Sequence, residues 1–158
     1  MKEAPKVAVV GSGYWGKNLV RNFNNLGALK LICDKNEIVL NNFREEHPEV
    51  QTCLAFNEVL NRSDIDGIAI ATPAETHYAL AREALLAGKH VYVEKNPTIS
   101  IWEGRKMIEA SEKYEKILQV GFQNRSAPYA FSAREYIHSG QLGKVVHVKS
   151  FNLLGGSK

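Results

Sequence analysis

No apolar run in this 158-residue chain approaches the roughly 20 residues that a membrane-spanning helix needs, because Gly, Pro or a charged residue interrupts each one after a few positions. Cysteine is nearly absent. Cys33 and Cys53 stand alone, Cys33 inside a predicted buried strand, and neither belongs to a C-x-x-C pair, which points to a reducing cytoplasm. An excess of one charge is missing as well: 20 Lys and Arg face 17 Asp and Glu for a net charge of +3. The two signs alternate along stretches such as residues 105–116, which reads as solvated helix surface and argues against a nucleic-acid partner. His47, His90, His138 and His147 show no ligand spacing with a cysteine or a carboxylate pair, so no metal site is expected. The opening Met1-Lys-Glu-Ala-Pro5 enters a core strand too early for a signal peptide, and there is no internal repeat or low-complexity segment.

What the chain has is 44% hydrophobic residues, enough for one core, distributed as strand-length apolar runs alternating with helical patterns. Strands are predicted at 6–10, 29–34, 50–53, 67–71, 90–94 and 117–121, with helices at 14–25, 36–46, 56–61, 75–87 and 100–115. Such alternation implies an α/β fold with a doubly wound parallel sheet. Two helix ends rest on local chemistry: Ser100 with Glu103 forms a capping box, and Gly88 stops the preceding helix. Residues 1–121 make a dinucleotide-binding domain in this reading. Residues 122–158 then open a second, incomplete domain, with a helix near 127–139 and an alternating strand at 144–154.

The most informative stretch is Lys6-Val-Ala-Val-Val-Gly11-Ser-Gly13-Tyr-Trp-Gly16, an apolar run opening into G-x-G-x-x-G ahead of a helix. Gly11 permits the tight turn, Gly13 lets backbone N–H groups approach a diphosphate, and Gly16 lets the helix lie close to the strand. Tyr14 and Trp15 fall inside this turn and join the cofactor-binding set, although Trp15, like Trp102, reads by residue type as a packing residue. The helix N-terminus adds free donors and partial positive charge. An ordinary tight turn is the plain alternative, but Asp34 at the end of the second apolar run completes the dinucleotide context. Its carboxylate is expected to accept from the adenosine ribose and to repel the 2'-phosphate of NADP, so NAD is favoured, with Lys35 partly offsetting the repulsion. Capping of the second helix by Asp34 is compatible with that role.

The fourth and fifth strands end in Ile70-Ala-Thr72-Pro73-Ala-Glu-Thr-His77 and Val91-Tyr-Val-Glu94-Lys95-Asn96-Pro97. With the glycine turn and Asp34, these segments resemble the Gfo/Idh/MocA family of NAD(P)-dependent oxidoreductases, marked by G-x-G-x-x-G, T-P-x-x-x-H and E-K-P. The resemblance extends over the whole chain. Gly13-Tyr-Trp-Gly-Lys-Asn-Leu-Val20 looks like members that oxidise nucleotide-linked sugars, and Val120-Gly-Phe-Gln-Asn-Arg125 like a broader set of sugar or polyol dehydrogenases.

The resemblance implies that Lys95 is the catalytic acid or base and that Glu94 belongs to the same site. Taken on its own, Lys95 reads sooner as a surface lysine paired with Glu94, and the resemblance reverses that order. Asn96 departs from the family pattern, separating Lys95 from Pro97. Thr72, Pro73 and His77 are placed on the nicotinamide side of the crevice, His77 alternatively serving as a structural residue of the fourth helix. Gln123 follows the sixth strand where members contact substrate or cofactor, although loop polarity explains it too.

The expected function is NAD-dependent oxidation of a secondary alcohol on a sugar, nucleotide-sugar or polyol. By the same resemblance the full-length protein is a homo-oligomer, while the chain alone is poorly active without a substrate wall. A non-catalytic NAD-sensing module that adds strand 144–154 to a partner is the alternative, and a methyltransferase using the same glycine turn is a third.

Overall fold

The computed structural model describes residues 4–151. Contacts divide the chain after Gly121 into two units, residues 1–121 and 122–158. The first unit holds β1 (Val7–Val10), α1 (Gly16–Asn25), β2 (Leu29–Cys33), α2 (Glu37–Glu46), β3 (Gln51–Cys53), α3 (Phe56–Leu60), β4 (Gly67–Ile70), α4 (Ala74–Leu86), β5 (His90–Glu94), α5 (Ile101–Lys113) and β6 (Leu118–Gly121). All six strands are parallel, in the order β3-β2-β1-β4-β5-β6. That is the doubly wound order, whose direction reverses between β1 and β4 and so opens a crevice at the carboxyl ends of those strands.

Alternation along β1 explains how both faces are covered. Val7 and Val9 pack with Leu19, Val20, Leu40 and Phe43 on one side, while Ala8 and Val10 pack with Val59, Ala81, Leu85 and Met107 on the other. Helix ends follow the local chemistry read from the sequence. Ser100 accepts from Glu103 N while Glu103 accepts from Ser100 N, and Gly88 adopts φ +76° just past α4, a left-handed stop that costs glycine little.

The second unit contains a 3-10 turn (Gln123–Ser126) and α6 (Pro128–His138). The strand expected at 144–154 is corrected: residues 144–151 form none, and 152–154 lie outside the described residues. An alternating apolar pattern becomes a strand only when another strand pairs with its backbone, and none does so here. No helix among the described residues is long and apolar enough to cross a membrane.

Candidate functional site

The glycine turn leaves β1 at Gly11, whose N–H donates to Cys33 O at 2.9 Å and whose φ is +82°. A Cβ on Gly11 would stand 2.8 Å from Thr72, and one on Gly16 would stand 1.9 Å from Gly11 O. Both glycines are therefore fixed by close backbone approach. Gly13 differs, for a Cβ there meets no protein atom within 4 Å. The space beside Gly13 opens to solvent, as a diphosphate cradle requires. Helix α1 begins without a side-chain cap and without an acid in its first turn, whereas Asn36 caps α2 and Ser100 caps α5. Lys17 N and Asn18 N of that first turn donate to Gly13 O at 3.2 Å and Trp15 O at 2.9 Å, and no side-chain carboxylate offsets the partial positive charge of the helix end.

Asp34 follows β2 and faces this turn. Its Oδ2 accepts from Ser12 N at 2.7 Å and from Ser12 Oγ at 3.1 Å, and its Oδ1 accepts from Asn36 N at 2.9 Å. Capping of α2 falls to Asn36, which accepts from Ile38 N, and not to Asp34. One acceptor position on Oδ1 stays open for a ribose hydroxyl.

Gly11, Gly13, Tyr14, Trp15, Asp34, Thr72 and Pro73 all line one cleft of about 630 Å³, and Lys35 stands at the same wall. Trp15 is thus a cleft residue, not a core one, and Tyr14 is 88% exposed. Leu54, Phe56 and Leu80 add apolar side chains to the wall of the cleft. These three escaped the sequence reading because each looks like an ordinary core position of a helix or loop. Ser12 escaped as well, a variable position of the motif whose hydroxyl meets Asp34 only in the folded turn.

Within α4 and the turn before it, Thr76 Oγ1 donates to Pro73 O at 2.7 Å. The hydrogen in the 2.7 Å contact between the Thr72 and Thr76 hydroxyls therefore comes from Thr72, which leaves Thr72 Oγ1 an acceptor toward the cleft. His77 is 1% exposed and does not line the cleft. Its imidazole bridges two backbone carbonyls, Nε2 lying 2.7 Å from Thr72 O and Nδ1 2.7 Å from Asn96 O. The geometry favours the structural reading of His77, as a tie between the turn after β4 and the turn after β5.

Glu94 ends β5 with only 5% exposure, accepting from Tyr92 Oη at 3.0 Å and from Lys95 N at 3.3 Å. Burial first, then the charge and hydrogen bond of Glu94, push the Tyr92 hydroxyl up to about 12. Gly121 makes room for this pair, since a Cβ there would stand 2.5 Å from Tyr92 Oη and 3.0 Å from Glu94 Oε1. Lys95 itself is exposed and forms no ion pair with Glu94 or any other described residue. The Lys95–Asn96 peptide bond is cis. Gln123 lies exposed in the 3-10 turn of the second unit. No group of three or more His, Cys, Asp or Glu among the described residues is arranged to hold a metal.

Comparison with known proteins follows the same lines. The model of an oxidoreductase family with an NAD-binding Rossmann fold matches residues 5–122. The chain is 31% identical over 162 residues to scyllo-inositol 2-dehydrogenase (NAD(+)) of Bacillus subtilis (strain 168), covering 96% of this chain and 45% of that protein. It is 25% identical to the rhizopine catabolism protein MocA of Rhizobium meliloti, covering 92% and 46% respectively. Among solved structures, GenD2 from gentamicin A biosynthesis in complex with NAD superposes with a TM-score of 0.83 at 25% identity, covering 89% of this chain and 41% of that one. Myo-inositol 2-dehydrogenase of Lactobacillus plantarum gives a TM-score of 0.84 at 24% identity over 91% of this chain and 44% of that one, a likeness of fold. The chain spans less than half the length of the relatives it matches. With the glycine turn, the parallel sheet order and the family model in agreement, this chain belongs to the Gfo/Idh/MocA oxidoreductases and carries their NAD-binding Rossmann domain.

Proposed function

We propose that this chain supplies the cofactor side of an NAD-dependent dehydrogenase that oxidises a secondary alcohol on a sugar, nucleotide-linked sugar or polyol. The observation that carries the reading is Lys95. It is an exposed lysine with no ion-pair partner among the described residues, at the carboxyl end of β5, held at its backbone by buried Glu94, on the sheet edge that also bears the glycine turn, and as the free amine it has a lone pair for a proton. Such a lysine is free to take the hydroxyl proton of a substrate.

The turn from Gly11 to Gly16 binds the diphosphate through backbone N–H groups, Asp34 accepts a ribose hydroxyl through Oδ1, and Thr72 offers an acceptor in the cleft wall. When bound, NAD supplies the hydride acceptor at nicotinamide C4. Lys95 holds the proton released from the alcohol, and His77 keeps the two flanking turns in place. The substrate class is inferred from relatives that include an inositol dehydrogenase. Donor and acceptor must be held about 3–3.5 Å apart, so the chain alone, lacking a substrate wall in its first unit, binds NAD but turns over poorly.

Calorimetric titration with NAD, NADP and S-adenosylmethionine tests the cofactor. Binding of NAD in preference to NADP supports the reading, and binding of S-adenosylmethionine alone overturns it. In a polypeptide of the relatives' length bearing these residues, Lys95→Met is expected to leave the Kd for NAD within about twofold while lowering inositol-dependent NAD reduction at least about 100-fold.

A further inference from the structure

Cys33 and Cys53 lie twenty residues apart in sequence yet are register partners on adjacent parallel strands, β2 and β3. Both side chains pack into the same core cluster, on the same face of the sheet, and both thiols are free. Neighbouring strands stand about 4.8 Å apart, within the Cα separation that a disulfide spans. Cys33 also lines the nucleotide cleft next to Asp34, and Asp34 N donates to Cys53 O at 3.2 Å. The pair therefore borders the ribose carboxylate on two sides.

We infer that Cys33 and Cys53 form a modification site for peroxides, closing to a disulfide that weakens NAD binding. The inference rests on the cleft being the NAD site. Both thiols are buried, with Cys33 on the cleft wall through which peroxide enters, and a hydrogen bond between them lowers Cys53 and, with burial, raises Cys33, so the thiolate is written on Cys53. Its thiolate attacks one oxygen of hydrogen peroxide, forming a sulfenic acid and releasing hydroxide. Cys33 sulfur then attacks Cys53 Sγ, the S–S bond forms, and the second oxygen leaves as hydroxide. Both hydroxides take up the two thiol protons, so two thiols and one peroxide yield one disulfide and two waters. Drawing the sulfurs to about 2.05 Å shifts the strand end that presents Asp34. By linkage, bound NAD opposes closure by the factor that closure weakens NAD.

The test treats the chain with hydrogen peroxide and reads three quantities: free thiols, the linkage in a non-reduced tryptic map, and the Kd for NAD before oxidation, after it, and after dithiothreitol. Expected are loss of both thiols, a linked peptide pair containing Cys33 and Cys53, a Kd raised about tenfold and restored by dithiothreitol, and slower closure with NAD present. Cys33→Ala and Cys53→Ala should each hold an unchanged Kd under peroxide. Thiols that persist, linkage between two chains, or an intramolecular disulfide with an unaltered Kd would each overturn the inference. The tryptic map decides the linkage even where an alanine variant fails to fold. Failure of the reduced chain to bind NAD counts instead against the proposed function, since thiol loss is read without NAD.

Discussion

Ser12 and Asp34 are joined twice, through the backbone N–H and the hydroxyl of the serine, at a single carboxylate oxygen. The glycine turn and Asp34 are consequently tied into one piece. Replacing Asp34 by Asn puts an amide where a doubly bonded anion stood. The expected outcome is an NAD-to-NADP affinity ratio reduced at least about tenfold, measured by parallel titrations. Ser12→Ala removes the weaker of the two bonds and should cost about 1 kcal/mol in urea unfolding.

Two glycines of the same turn should separate folding from binding. Gly16→Ala places a methyl group 1.9 Å from Gly11 O, and a backbone atom cannot yield cheaply. A loss of about 3 kcal/mol of stability is expected in denaturant melts. Gly13→Ala meets nothing in the protein, so stability should stay within about 1 kcal/mol while NAD affinity falls sharply. Equal effects of both changes on stability would remove Gly13 from the cradle.

Burial of His77 between two carbonyls makes His77→Ala a cavity change and a hydrogen-bond loss together. About 2–4 kcal/mol of stability should go. Amide exchange should rise in the turns around Thr72 and Asn96 before it rises in β1, a pattern that uniform destabilisation would not produce.

Tyr92 gives a pH signature. Its folded value lies above the ordinary phenol value of 10, so the neutral hydroxyl is favoured by the fold. This contribution is fully present below pH 10 and is lost as pH rises toward 12. Tyr92→Phe should remove that part of the alkaline decline while costing stability at pH 7, because buried Glu94 loses its side-chain donor. Unfolding curves of the two proteins from pH 8 to 12 should converge at the alkaline end.

Features that depend on neighbours in sequence were readable in advance. The G-x-G-x-x-G turn, the Ser100–Glu103 box and the Gly88 stop each satisfy local backbone demands, and all stand where the pattern put them. Asp34 was legible because it must follow β2 at the carboxyl edge. Contacts made across the fold were not. The two carbonyls around His77 belong to turns after different strands, and the Cys33–Cys53 pairing exists only through the β2–β3 register. The alternating residues 144–151 mislead for a related reason, since periodicity reports a face and says nothing of a partner strand.

Gly121 closes the sheet with an atom left out. Any larger residue at that last position would push the Tyr92 hydroxyl off Glu94 and leave that buried carboxylate with the Lys95 N–H as its remaining donor. The chemistry proposed for Lys95 is thus conditional on the smallest residue of a neighbouring strand. A search for inactivating substitutions that never touch cofactor or alcohol should begin there.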